Sequence, residues 1–284
     1  MRLINKNPVY ARLNNSFFIF GFILSLFMIL VIVTGFFWTP FEPAAMSVES
    51  KFNAPCIEHP FGCDNMGRDI LSRVMIGSGF TLTTGFFTVV IGLFFGIIIG
   101  AFTGYYGGII DEVIMRINDV VLAFPGVLLA LIFVSVFGVG KEKLIITLGI
   151  IFIPGYTRMI RGEVIKLKNK DFVSLARLMK ASDLRIIFVH ILPNALPVII
   201  STVAIGFNNA ILAEAALSFI GVGVRPDEAS LGKMLSESQG YIATAPWYSL
   251  FTGGFIVLLI LGFSMISEGI ARGKRNAESK QFNN

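Results

Sequence analysis

The chain has 284 residues, 55% of them hydrophobic and only 14% charged, with a net charge of +5 at pH 7. Such a balance excludes a disordered, solvated chain, which carries few apolar residues and many charges. It also weakens any case for nucleic-acid binding, because a small basic excess is accounted for when it gathers on one side of a membrane.

The first apolar stretch, 17–37, follows a basic start with Arg2, Lys6 and Arg12. It is longer than the apolar part of a cleaved leader, about 7 to 15 residues, and it runs into Trp38, Pro40 and Pro43 instead of small cleavage-site residues. It therefore reads as a retained anchor. Further apolar stretches follow at 81–102, 117–137, 144–159, 196–216 and 249–266, each near the roughly 20 residues that cross a bilayer. The expectation is an all-α integral membrane protein with about six transmembrane helices. Segment 1–16 is expected inside, 17–270 forms the transmembrane domain, and 271–284 is a polar inner tail expected to fray.

Between the first two spans, Cys56, His59 and Cys63 raise the question of a metal. The chain has only one other His, and no carboxylate or third thiol completes a site, so no metal is expected. Two nearby thiols on the outer, oxidising side are expected to pair as a disulfide. In the second span Gly92, Gly96, Gly100 and Gly104 form a bare strip that lets backbones approach, expected to pack within this chain rather than against a sister subunit. Asp119 lies three residues from Arg116, which suggests a local ion pair. Pro125 and Pro154 are expected to kink the third and fourth spans.

A phosphate-cradling loop requires G-x-x-x-x-G-K followed by Ser or Thr. The nearest string, Gly138 to Glu142, lacks the first Gly and ends in an acid. No nucleophile with a base partner or convincing carboxylate pair is present either. The chain is thus expected to be no enzyme, and any ATP would bind elsewhere.

Residues 170–197 interrupt the apolar pattern. Phe172, Leu175, Ala176 and Met179 recur at i, i+3, i+4 and i+7, which predicts one short amphipathic helix. A second stripe, Leu184, Ile187, Phe188 and Ile191, is rotated by roughly 120° from the first, so the chain must turn between them. Ser182 or Asp183 is a suitable N-cap for the second helix, while Pro193 and Pro197 should end the excursion. Eight Lys or Arg between Arg158 and Arg185 put the insert inside. With that orientation sixteen cationic residues fall inside and seven outside. In the fifth span Asn208, Asn209 and Glu214 are polar groups at membrane depth and candidates for lining a path.

The insert resembles the EAA loop of the membrane subunits of bacterial ABC importers, whose pattern is matched by Ala176, Ala181, Ser182, Ile186, His190, Ile191, Leu192, Pro193 and Asn194. Ser174 stands where that family usually has Glu, and Lys180 where it usually has Gly. The strings HPFGCDNMGRDILSR (59–73), GYYGGIIDEVIMRINDVVLAFPG (104–126), PGYTRMIRGEV (154–164), ILAEAALSFIGVGV (211–224) and TAPW (244–247) are similar to the branch that imports peptides or nickel.

The resemblance implies an ABC type I importer permease fold in the bacterial cell membrane, with both termini cytoplasmic and a coupling loop at about 165–194. It implies a heterodimer with a second homologous permease subunit, two ABC ATPase subunits carrying ATP and Mg, and an extracytoplasmic solute-binding protein. Phe172, Leu175, Ala176, Met179, Ala181 and Ser182 would couple to the ATPases. A self-contained secondary transporter or channel would also have six spans. It gives no reason for an amphipathic insert built for docking.

Overall fold

The computed structural model describes residues 16–225 and 227–282, with side chains described through residue 269. The basic start with Arg2, Lys6 and Arg12 lies outside the described residues. No strand occurs among those described; the only sheet-like feature is an isolated antiparallel bridge between Cys63 and Asp69.

The helices are α1 (Ser16–Phe37), α2 (Ile70–Tyr106), α3 (Gly108–Ala123), α4 (Gly126–Phe137), α5 (Lys141–Leu167), α6 (Asp171–Leu178), α7 (Asp183–Arg185), α8 (Leu192–Ile220), α9 (Leu231–Gln239) and α10 (Pro246–Phe282). A π-helical stretch, Ile186–Ile191, joins α7 to α8. Five helical segments are long and apolar enough to cross a bilayer, or six when α3 and α4 are counted together as a broken span. The last helix runs through Phe282, so most of the tail expected to fray is helical.

The expected third span, 117–137, is two helices bent by 94°. Phe124 is extended at φ −80° and ψ 138°, the conformation that a following proline favours, and Pro125 has no N–H with which to continue α3. A second departure concerns the insert. Its second arm is the beginning of the fifth span rather than a separate helix, since residues Asp183–Ile220 are helical without a break. Pro193 lies within this continuous helical run, so its missing N–H leaves a gap in the interior ladder. The wider π turn before it carries the Leu192 N–H to the Ile187 carbonyl, and the Asn194 amide donates to the His190 carbonyl at 2.6 Å. The carbonyls beside the proline are thereby accommodated.

The chain divides into two units. In the unit made of residues up to 83 and from 207 onward, α1 packs along α10. Close approach is built on small residues: a Cβ on Gly21 would stand 2.6 Å from Met265 Cβ, and one on Gly262 would stand 2.6 Å from Ser25 Oγ. Met28, Ile32, Ile70, Val74, Ile211, Leu231, Met234 and Tyr248 fill the core.

In the unit of residues 84–206 the glycine strip of α2 lies on α5. A Cβ on Gly100 would come within 2.6 Å of the Thr157 carbonyl oxygen, and Gly96 faces Tyr156. The strip therefore packs within this chain. Its core continues into the insert through Tyr105, Ile160, Val164, Val173, Ala176, Ile186, Ile187 and Ile191.

Candidate functional site

The insert is a helix, a turn and a helix start, built from its own caps. Asp171 places an acid in the first turn of α6 and Arg177 a base in its last, both favourable with the helix dipole. The helix closes through Ala181 N–H to the Ala176 carbonyl at 3.1 Å and Lys180 N–H to the Arg177 carbonyl at 2.9 Å. Lys180 is left-handed at φ 57°, a conformation that glycine adopts more readily than a residue with a side chain. Ser182 then caps α7, accepting the Arg185 N–H at 3.4 Å.

Burial decides which side of α6 is free. Val173 and Ala176 are buried and Phe172 is half-buried against the core, so these residues hold the helix down. Leu175, Leu178 and Met179 are 60%, 78% and 84% exposed. This corrects the expected docking stripe: Leu175 and Met179 face outward, Phe172 and Ala176 do not. Leu178 joins the outward group. Leu178 escaped the i, i+3, i+4, i+7 template because that template followed the edge shared by the buried and free faces. Its apolar character three residues from Leu175 was the available signal. Likewise, Ile187 and Ile191 of the second stripe are buried while Leu184 and Phe188 are exposed.

A cleft of about 470 Å³ opens beside this surface, lined by Ala176, Met179, Lys180, Ala181, Ser182, Arg185 and His190. The insert is also tied to the end of α2. The Tyr105 hydroxyl donates to Asp183 Oδ1 at 2.6 Å, and the Arg177 guanidinium lies 5.4 Å over the Tyr105 ring. Lys168 Nζ donates to the Gly104 carbonyl at 2.9 Å. Arg161 grips Asp111 with two nitrogens, at 2.5 and 2.7 Å. Asp119 pairs with Arg158 instead of Arg116, which is 4.0 Å from Glu112.

The polar residues of the fifth span fare differently from one another. Asn208 and Asn209 are half-buried. Glu214 is fully enclosed, accepting from the Ser218 hydroxyl at 2.6 Å, and so does not line an open path in this structure. Its other oxygen, Oε2, is buried without a hydrogen-bond partner, so Ser218 satisfies only half of the carboxyl.

A buried ionic cluster that no local sequence signal marks lies at the start of α2. Asp64 accepts from Met66 N–H and Arg68 N–H at 2.8 and 2.9 Å, from Arg68 Nε at 2.7 Å and from Arg73 Nη1 at 2.5 Å. Arg73 also reaches Glu237 Oε2 at 3.0 Å and the Tyr248 hydroxyl at 3.1 Å, joining the start of α2 to α9 and α10. Nearby, Asp69 accepts from Ser72 N–H at 2.7 Å and lies 2.9 Å from His59 Nδ1.

The disulfide expected between Cys56 and Cys63 is not formed. Both thiols are free, Cys56 exposed and Cys63 buried. Burial first, then the Asp69 and Asp64 carboxylates, push the Cys63 thiol up to about 11. Among the described residues no group of three or more His, Cys, Asp or Glu is placed to hold a metal ion.

Residues 92–276 match the family described as binding-protein-dependent transport system inner membrane component. The chain is 40% identical over 256 residues to the dipeptide transport system permease protein DppC of Alkalihalophilus pseudofirmus, covering 90% of this chain and 84% of that one. It is 38% identical over 250 residues to the glutathione transport system permease protein GsiD of Escherichia coli, covering 87% and 82%. A chain of the MetNI methionine ABC transporter in an inward-facing conformation superposes with a TM-score of 0.57 at 21% identity, over 72% of this chain and 95% of that one, a likeness of fold.

Proposed function

We propose, from the premise that this chain belongs to the family of binding-protein-dependent transport system inner membrane components, that it carries short peptides across the cell membrane and is driven through α6. It is a multi-pass permease subunit of an ABC importer. Peptides are preferred to a nickel complex as cargo because the relatives above are named for dipeptide and glutathione transport. The proposed assembly has a second permease subunit, two ATPases and an extracytoplasmic binding protein. Both termini lie in the cytoplasm, as the distribution of Lys and Arg favours.

One observation carries the coupling role: Leu175, Leu178 and Met179 stand exposed on a helix whose other face is locked into the core by Val173 and Ala176. Three large apolar side chains on a charged inner surface seek a partner, and the buried face makes the helix a rigid lever rather than a loose arm. ATP with Mg would bind the partner ATPases and drive their closure. This chain's part is to receive that movement on α6 and pass it to the spans, switching the path between two exposures.

Purifying the chain with its cognate subunits and measuring labelled dipeptide uptake into liposomes tests the reading. Uptake that needs ATP and the binding protein is expected. Uptake by this chain alone, driven by an ion gradient, would overturn it.

A further inference from the structure

The coupling turn must hand its displacement to a membrane-crossing element, and the structure offers one side chain that touches both of its arms. Tyr105, on the penultimate residue of α2, is 8% exposed. Its hydroxyl donates to Asp183, the first residue of α7, and its ring lies beneath Arg177, on the last turn of α6. Between those two contacts the chain reverses at left-handed Lys180 and at the Ser182 cap. Tyr105 therefore closes a small ring whose other side is the turn itself.

Below it α2 is stiff and tightly seated. Gly104 and Gly100 leave no room between α2 and α5, and Lys168 fastens the last α2 carbonyls from the α5 side. A push on α6 or α7 thus meets α2 at its end, where a close-packed rod transmits rather than absorbs the shift. The adjacent Tyr106 is 54% exposed, so neighbouring residues of the same type are divided between a clasp and the surface.

We infer that Tyr105 is the positioning residue that links the coupling turn to α2, acting through its hydroxyl on Asp183 and its ring on Arg177. The inference rests on the coupling role proposed above for α6. Tyr105 contacts no cargo in this account. It governs how much transport each ATP cycle yields.

The test uses the complete importer in liposomes with the binding protein, a labelled dipeptide and ATP, after confirming that each variant retains its ATPases. Tyr105→Phe keeps the ring under Arg177 and deletes the bond to Asp183. The expected result is a rise of about fivefold or more in ATP consumed per peptide delivered, with the ATPases still bound. Asp183→Ala, at an exposed position, makes the same deletion from the other side and decides the matter if Tyr105→Phe fails to assemble. Asp183→Asn keeps an acceptor oxygen and is expected to retain most of the coupling, which a general loss of folding would not allow. An unchanged ATP-to-peptide ratio in the deletion variant that assembles would overturn the inference. Detachment of the ATPases by Leu178→Asp is a separate readout, so the docking reading and the Tyr105 reading can fail independently.

Discussion

Arg73 and Asp64 form an ion pair at 2.5 Å in which the side chains are 3% and 0% exposed. The pair ties the outer loop before α2 to α9 and α10 through Glu237 and Tyr248. Removing one partner of a buried pair leaves the other charge without solvent or compensation.

Arg73→Leu is accordingly expected to cost about 3 kcal/mol and to lower the midpoint of thermal unfolding in detergent. Arg68→Leu, which removes a more accessible partner of the same carboxylate, should cost less, about 1.5 kcal/mol. Equal midpoints for Arg73→Leu and wild type would mean that the cluster contributes nothing.

The strained turn gives a prediction of opposite sign. Lys180 holds a φ of 57°, which costs a side chain about 1 kcal/mol that glycine would not incur. Lys180→Gly should slow hydrogen exchange at the Ala181 amide by about fivefold. Faster exchange would show that glycine's flexibility outweighs the relieved strain.

Gly100→Val tests the seam between α2 and α5. The added Cβ would meet the Thr157 carbonyl at 2.6 Å and Ile160 Cβ at 2.9 Å, so the helices must separate. A loss of about 2 kcal/mol or more is expected, read as a lower unfolding midpoint. A neutral result would contradict the close packing described.

The two cysteines should differ in reactivity. Cys56 is exposed, whereas Cys63 is buried and its thiol is pushed up to about 11, leaving little thiolate at pH 7. A maleimide added to the reduced, folded protein should label Cys56, and Cys63 only after denaturation. Labelling of both at similar rates would contradict the burial of Cys63.

Most of the spans were legible in the sequence because apolar length specifies them, although Pro125 announces a kink and not the 94° break. The Ser182 cap was legible because capping chemistry is local, whereas nothing in a lysine announces the left-handed Lys180. The face of α6 was only half legible. Periodicity finds an apolar stripe, but where Leu175, Ala176, Leu178 and Met179 cover most of a short helix, only tertiary packing decides which part is buried. Asp64, Arg73 and Glu237 escaped for a related reason. Glu237 lies 164 residues from Arg73, and nothing local in the stretch from Asp64 to Arg73 announces it. The continuity of α7 with α8 was hidden by Pro193 and Pro197, which read as stops, whereas the chain stays helical through both, with a π turn just ahead of Pro193.

The most direct test of the account is retention of the ATPases by the purified permease when α6 is altered on its free face. Leu178→Asp, with the side chain 78% exposed and outside the core, is expected to release the ATPases and abolish dipeptide uptake while the protein stays folded in the membrane. Ser174→Glu, at an exposed position of the same helix outside the apolar group, is expected to keep both. ATPases that remain bound to the Leu178→Asp protein, with uptake intact, would contradict the claim that α6 is where this importer is driven.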